Sequence, residues 1–398
     1  MTGENRQHNN SPFAIRNLPF TICHSHFVIY REPGRYAGWP ANYGMWAWDD
    51  EIVAGFTVGY HDARGGFHTR DRSRPFVTMQ ARSLDGGQTW AVTPFPGRTP
   101  GGRALSADEH TLPELHTAPV LNGAHAPGPC PGVDFTHPDF ALMCARTGLR
   151  ASAVSWFYTS TDRCRTWDGP YHLPDFGQPG IAARTDYLID GPREALLFLT
   201  AAKSNGDEGR VFCARTTDGG RNFAFVAWIG PEPSGYAIMP ASVHLPNGRI
   251  LTAIRCHERQ AAATDPGSWL DLYASDDDGA TWTYIARPAP DTGRGGNPPV
   301  LLRLRDGRLC LIYGYRDAPY QLHARLSTDD GHTWSDAVIL RSGGGGHDLG
   351  YPRAVQRPDA SVVIVYYWND APNSERYIAA TLCNFQPLAI SEKLEAEE

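Results

Sequence analysis

Hydrophobic positions along the chain fall into short runs, each closed by a turn signal, and the runs recur in pairs. MPASVHLPNGRILTAIR from Met239, PPVLLRLRDGRLCLIYGYR from Pro298 and YPRAVQRPDASVVIVYYW from Tyr351 each read as strand, tight turn and apolar strand. Asn247-Gly248 and Asp306-Gly307 are strong hairpin signals, because these residue types accept the positive φ of a two-residue turn. Earlier copies are GWPANYGMWAWDDEIVAGFTVGYH, the strand DFALMCAR and ARTDYLIDGPREALLFLTAAK. No run is long enough to span a bilayer.

A second pattern follows these pairs. SLDGGQTW from Ser83, STDRCRTW from Ser160, TTDGGRNF from Thr216, SDDDGATW from Ser275 and STDDGHTW from Ser327 share the form S/T-x-D-x-G-x-T-W. Their aspartates, Asp85, Asp162, Asp218, Asp277 and Asp329, recur every 52 to 77 residues, a period typical of propellers and related arrays. Each segment has the chemistry of a hairpin turn: Asp accepts backbone amides, Gly supplies positive φ, and Trp packs the turn onto its sheet. Two copies are degenerate, with Cys164 in place of the Gly and Asn222-Phe223 in place of Thr-Trp. Six units result, each of four strands; the last lacks the motif and ends in RYIAATLCNF. The run TICHSHFVIYR is predicted to supply the strand that closes the ring and removes the sheet edges. The expected fold is all-β, a single six-bladed β-propeller over residues 25–385. Residues 1–24 are an extension, 386–398 a tail, and 91–138 a Pro/Gly-rich insertion expected at the mouth.

Composition agrees. With 41 Gly and 32 Pro among 398 residues a helical bundle is excluded, and 11 % aromatics exclude disorder. The net charge of −7 argues against nucleic acid as a general partner. Eight cysteines stand singly, and Cys144, Cys256 and Cys310, inside or beside apolar runs, read as buried free thiols. The N-terminus has no apolar signal core, so the expectation is a soluble protein without membrane insertion. It is cytoplasmic as given, and secreted or periplasmic if a signal was trimmed.

In a propeller the loops past each second strand converge on the mouth of the channel. His61, Arg146, Lys203, Arg255, Arg316 and Trp368 occupy that place, so five of six units offer a basic or imidazole group on an acidic chain. Such a cluster suits a carboxylate, sulfate or phosphate. Tyr351, Tyr315, Trp39, Trp368 and Tyr60 add aromatic faces for a sugar ring. Tyr351 beside arginines is a candidate nucleophile or acid, Asp71 in HTRDRSRP a candidate general acid, and His61 an alternative proton carrier. EHTLPELH, with His110 and His116, has the donors of a metal site, but Pro113 disfavours one helix presenting both; no metal is expected. The runs GRGGNPP and SGGGGHDLGYP read as mouth loops needing unusual backbone angles.

Repeated S-x-D-x-G-x-T-W turns in six units resemble the Asp-box repeats of the sialidase (neuraminidase) superfamily over roughly residues 25–385. The resemblance implies a propeller that needs no cofactor and hydrolyses a terminal acidic sugar from a glycan. It implies three arginines on the sugar carboxylate, a Tyr nucleophile assisted by Glu, and an Asp acid/base. Tyr351-Pro352, followed by a Pro-Asp turn and SVVIVYYW, matches the tyrosine, and Arg255, after Asn247-Gly248 and an apolar strand, matches the second arginine. Asp71, 12 residues before Ser83, stands where the acid/base is expected, and Arg316 is placed to be the third arginine. Two positions depart: Gly38 stands for the first arginine and Met239 for the glutamate. Arg31 or Arg35, and Glu258 or Glu232, are the nearby stand-ins. A uronate lyase with the same arginines and His61 or Tyr351 as base, and a non-catalytic glycan-binding propeller, are the alternative expectations.

Overall fold

The computed structural model describes residues 24–99, 126–258 and 267–385. Within them the apolar runs form strands buried along nearly their whole length, such as β4 (Glu51–Tyr60), β11 (Ala195–Ala202) and β23 (Val362–Trp368). A strand can be apolar on both faces only where sheets cover it on both sides. Radially stacked blades provide that cover, and the core divides into clusters lying between neighbouring blades.

The strands make six antiparallel sheets. Blade 1 contains β2 (Arg35–Gly38), β3 (Met45–Trp48), β4, β5 (Val77–Ser83) and β6 (Ala91–Pro94), with β2 and β3 both paired to β4. Blade 2 has β7 (Ala141–Arg146), β8 (Ser155–Ser160) and β9 (Asp168–His172). Blade 3 has β10 (Tyr187–Ile189), β11, β12 (Glu208–Thr216) and β13 (Ala224–Trp228). Blade 4 has β14 (Tyr236–His244), β15 (Ile250–His257), β16 (Ser268–Ser275) and β17 (Thr283–Ala289). Blade 5 has β18 (Val300–Arg303), β19 (Leu309–Tyr315), β20 (Gln321–Ser327) and β21 (Val338–Arg341). Blade 6 takes β22 (Gly350–Gln356), β23 and β24 (Tyr377–Cys383) from one end of the chain and β1 (His24–Tyr30) from the other. The register runs from Ser25 opposite Leu382 to Tyr30 opposite Ile378, which is the ring closure the sequence predicts. Among the described residues no helix is long and apolar enough to cross a membrane.

The same kink recurs in the innermost strands of three blades. Trp39, Met239 and Tyr351 each precede a proline and adopt φ of 57, 55 and 50°. The register of β14 slips between Ile238 and Ala241, and that of β22 between Gly350 and Arg353. Left-handed backbone at a non-glycine residue is costly and persists only where its surroundings hold it. Here Trp39 follows β2, Met239 is the fourth residue of β14 and Tyr351 the second of β22, and Trp39, Ile238 and Tyr351 line the axial cavity.

The repeated turns cap the opposite face. In the first, Ser83 Oγ accepts the Gly87 amide at 2.8 Å and donates to Asp85, while Asp85 accepts the Thr89 amide at 2.9 Å and its hydroxyl at 2.6 Å. The degenerate copies keep this geometry: Cys164 takes φ of 60° in place of Gly, and the Asn222 amide replaces the threonine hydroxyl on Asp218 at 2.7 Å. The insertion is shorter than 91–138, because Ala91–Pro94 pair with β5 as a blade strand. Its described end does not overhang the mouth. Gly128 pairs beside Tyr171 on β9, and the Val133 amide donates to the Gly219 carbonyl in a repeated turn. His110 and His116 lie outside the described residues. Cys130, Cys144, Cys164, Cys213, Cys256, Cys310 and Cys383 are all buried free thiols.

All five turn aspartates are held below the ordinary carboxylate value. At Asp85, lowered to about 2, and at Asp277 the threonine four residues on supplies the largest effect. At Asp162, Asp218 and Asp329 burial opposes ionisation, and bonds from Thr166, Asn222 and Thr333 outweigh it. A depressed carboxylate contributes stability that is complete above its unfolded value and lost as pH falls through its folded one. The contribution of these five turns to the urea midpoint is therefore expected to be complete above about pH 5 and to be lost between about pH 4 and 2. Asp329→Ala, which removes three hydrogen bonds to a charged acceptor, is expected to cost about 2 kcal/mol at neutral pH with an unchanged m-value.

Candidate active site

A cavity of about 160 Å³ opens at the axial end of the kinked strands. It is lined by Trp39, Asn42, His68, Arg70, Arg146, Leu149, Arg184, Glu208, Tyr236, Ile238, Arg255 and Tyr351. Four guanidiniums against one carboxylate make it strongly positive on a chain of net charge −7.

Tyr351 and Arg255 form its centre. Arg255 Nη1 donates to the Tyr351 hydroxyl at 2.9 Å, and Nη2 donates to the Tyr236 hydroxyl at 3.1 Å and to the Gly295 carbonyl. Met239, where the resemblance expects glutamate, accepts from Arg255 Nη1 through its sulfur at 3.6 Å. The backbone around Tyr351 is clamped by Asn297, whose Oδ1 accepts the Tyr351 amide at 2.8 Å and whose Nδ2 donates to the Leu349 carbonyl at 2.9 Å. Gly350, at φ of 97°, is required there because a Cβ would run into that Asn297 amide.

Arg316 stands behind this pair rather than in the cavity wall. It is 1 % exposed and donates to the carbonyls of Leu349 at 3.0 Å and Gly296 at 3.1 Å and to the Tyr367 hydroxyl at 2.6 Å. Its guanidinium lies 5.2 Å from the centroid of the Tyr351 ring. Burial opposes ionisation of Tyr351, but Arg255, Arg316 and Arg184 outweigh it and hold the phenol below its ordinary value. That is the direction a phenolate nucleophile needs.

The other wall is built from groups that the repeat pattern does not mark. Arg184 pairs with Glu208 at 2.7 Å and donates to Asn42 Oδ1 at 3.3 Å. Arg70 lies 4.7 Å from the centroid of the Trp39 ring. His68 Nδ1 meets Asp348 Oδ1 at 2.6 Å, with its ring edge-on to Trp39 at 5.2 Å. Asp348 is fully buried and also accepts Tyr36 at 3.2 Å, Tyr367 at 2.6 Å and Arg376 Nε at 3.2 Å.

The structure brings together Tyr351, Arg255 and Arg146 from the expected set. Lys203 is drawn elsewhere: its ammonium donates to the carbonyls of Pro233, Ser234 and Gly235, at 3.2, 3.2 and 2.6 Å, and so fixes the loop that leads into Tyr236. His61 pairs with Arg70 through the backbone and is not among the lining residues. Asp71 is outside the lining, and its Oδ1 accepts the amide and hydroxyl of Ser73 at 2.9 and 2.6 Å, closing its own turn. Arg31 is half exposed in an ion pair with Asp370 at 2.7 Å, and Arg35 stacks on Tyr60 at 4.1 Å. Neither reaches the cavity; Arg70 and Arg184 supply positive charge there instead. Glu232 bonds Ser204 at 2.8 Å and Glu258 is exposed past β15, so the cavity carboxylate is Glu208. Trp368 belongs to the core, with Arg341 at 4.5 Å from its ring. Among the described residues no group of three or more His, Cys, Asp or Glu is placed to hold a metal ion.

The low tyrosine is measurable. A near-ultraviolet titration is expected to show phenolate appearing below the ordinary tyrosine range, from Tyr351 and from Tyr60, which Arg35 and then Arg74 hold down. Tyr351→Phe should remove one of the two components. Arg255→Met should move that component upward, and a spectrum unchanged by either variant would contradict this account.

Residues 140–364 match the model of the BNR repeat-like domain. No curated protein matches the chain. Among solved structures, a protein of unknown function from Dyadobacter fermentans is similar at 21 % identity and TM-score 0.65, covering 92 % of this chain and 99 % of that one. The NanB sialidase of Streptococcus pneumoniae is similar at 12 % identity and TM-score 0.56, over 90 % of this chain and 70 % of that one. An α-L-arabinanase of Penicillium chrysogenum is similar at 12 % identity and TM-score 0.56, over 92 % and 99 %. At these identities the likeness is one of fold.

Proposed function

The chain belongs to the BNR repeat-like domain family, within the sialidase-like propellers, and from that premise we propose that it hydrolyses the bond to a terminal acidic sugar of a glycan. The observation that carries this reading is the Tyr351 hydroxyl held on Arg255 at 2.9 Å in the wall of a cavity with four arginines. A carboxylate-bearing sugar is the ligand such a wall selects, since guanidinium forks match carboxylates in two parallel bonds. Tyr351 then attacks the anomeric carbon, as a phenol held low by Arg255 and Arg316 is equipped to do. Arg255 serves both the nucleophile and the sugar carboxylate, with Arg70, Arg146 and Arg184 adding positive field around it. Arg316 acts through Tyr351, because its bonds to Leu349, Gly296 and Tyr367 tie it behind the wall.

The test is a panel of aryl glycosides of sialic, glucuronic and galacturonic acids, with the arabinosides as neutral controls. Turnover confined to acidic members is expected. Tyr351→Phe should lower kcat by on the order of 10³-fold or more. Arg255→Met should lower kcat/KM by on the order of 10²-fold, and less on a neutral sugar. Turnover unaffected by Tyr351→Phe, or a preference for the neutral sugars, would overturn the assignment. Release of an unsaturated product would move it to a uronate lyase.

A further inference from the structure

A glycosidase also needs a group that gives the leaving oxygen a proton and later takes one from water, and Asp71 is outside the cavity with its carboxylate closing a local turn. We propose that His68, held by the buried carboxylate of Asp348, is the proton-transferring residue of this site. The inference rests on the glycosidase reading for its reaction, and on the cavity itself for its residues.

Three observations carry it. First, His68 is the one histidine among the lining residues and shares the cavity wall with Tyr351. Second, its tautomer is fixed. Asp348 accepts from Tyr36, Tyr367 and Arg376, and this fully buried carboxylate is held far below its ordinary value: burial opposes ionisation, and His68, Arg376 and Arg316 outweigh it. An ionised carboxylate only accepts, so the 2.6 Å contact requires hydrogen on His68 Nδ1. The lone pair of the neutral ring is therefore on Nε2, the nitrogen left for chemistry, as in other carboxylate-backed histidines. Third, the groups around the ring keep it from being permanently charged. Burial lowers its value, Asp348 raises it, and Arg70 and Arg316 lower it, with a net shift downward. Tyr36 stands 3.5 Å from Nδ1, and His347 sits against Phe67, the neighbour whose ring flanks His68.

The steps balance. Tyr351 attacks as the phenolate and its oxygen bonds to the anomeric carbon. The bond from that carbon to the leaving oxygen breaks, its electron pair goes to the oxygen, and His68 Nε2 supplies the proton. Water then attacks the anomeric carbon, its proton returns to His68, and Tyr351 departs as the phenolate. The starting pair, His68 protonated and Tyr351 ionised, holds the same number of protons as the neutral pair, so no outside acid is consumed.

Loss of a general acid shows most with poor leaving groups. His68→Gln should lower kcat/KM by on the order of 10²- to 10³-fold on a phenyl glycoside, and by less than about tenfold on the 4-nitrophenyl one. An equal loss on both would make His68 a packing residue, and a selective loss in Asp71→Asn would return the role to Asp71; either result overturns the proposal. If the wild-type chain turns over no aryl glycoside, the hydrolase reading falls and His68 is judged by ¹⁵N NMR of histidine-labelled protein. The expected spectrum has Nδ1 protonated at neutral pH, the hydrogen that the Asp348 contact requires, with the Nε2 signal moving on addition of N-acetylneuraminate or glucuronate. Nδ1 without hydrogen, or an Nε2 signal indifferent to both sugars, would overturn the proposal independently of turnover.

Discussion

A carboxylate with no exposed surface sits at the seam where the ring closes. Asp348 cannot remain charged there without donors, and it draws them from two blades: Tyr36 and His68 from blade 1, Tyr367 and Arg376 from blade 6. Removing one partner of such a buried charge is far costlier than the net worth of the bond, so the arrangement is close to obligatory. The backbone follows the same seam, with Ala37 N donating to the Arg376 carbonyl at 2.9 Å. The site hangs from this point. Tyr367 donates to Asp348 and accepts from Arg316, and Arg316 lies against the ring of Tyr351.

The kinked X-Pro step sets the rest of the geometry. Trp39, Met239 and Tyr351 share a left-handed φ ahead of a proline, so the same backbone step recurs as a socket in blades 1, 4 and 6 and leaves its chemistry to the side chain. Here one socket holds an indole, one a thioether and one a phenol. Charge then enters from elsewhere: Arg70 over the indole, Glu208 and Arg184 from blade 3 and the segment leading into it.

Most of the fold was legible because it rests on local signals. A turn whose Asp, Gly and Trp satisfy one another within eight residues prints its own motif, and five copies mark five of the six blades. The ends of second strands were legible in the same way, which is why Arg255 and Arg146 were found. Lys203 obeyed the same rule and went elsewhere, because three carbonyls of the next loop claimed its ammonium. His68, Asp348, Glu208 and Arg184 were missed, since each takes its meaning from a partner distant in sequence. His68 and Asp348 are 280 residues apart. Their segments, HTRDRSRP and SGGGGHDLGYP, are conspicuous in the sequence, but nothing local reveals that one faces the other.

Blade 6 joins strands from both ends of the described chain, with His26 Nδ1 meeting Thr381 Oγ1 at 2.9 Å across 355 residues. On the ribosome β1 therefore emerges before the other described strands and has no sheet to join for about tens of seconds, at ordinary elongation rates. Blades 3, 4 and 5 are local in sequence and can form as they appear. The pairing of β1 with β24 cannot, and neither can the contact of Asp348 with His68. Closure of the ring and assembly of the site are thus late steps of biosynthesis, and a nascent or truncated chain that lacks blade 6 carries no finished site. Until then β1 presents an unpaired edge, and during that interval the chain is most open to wrong partners.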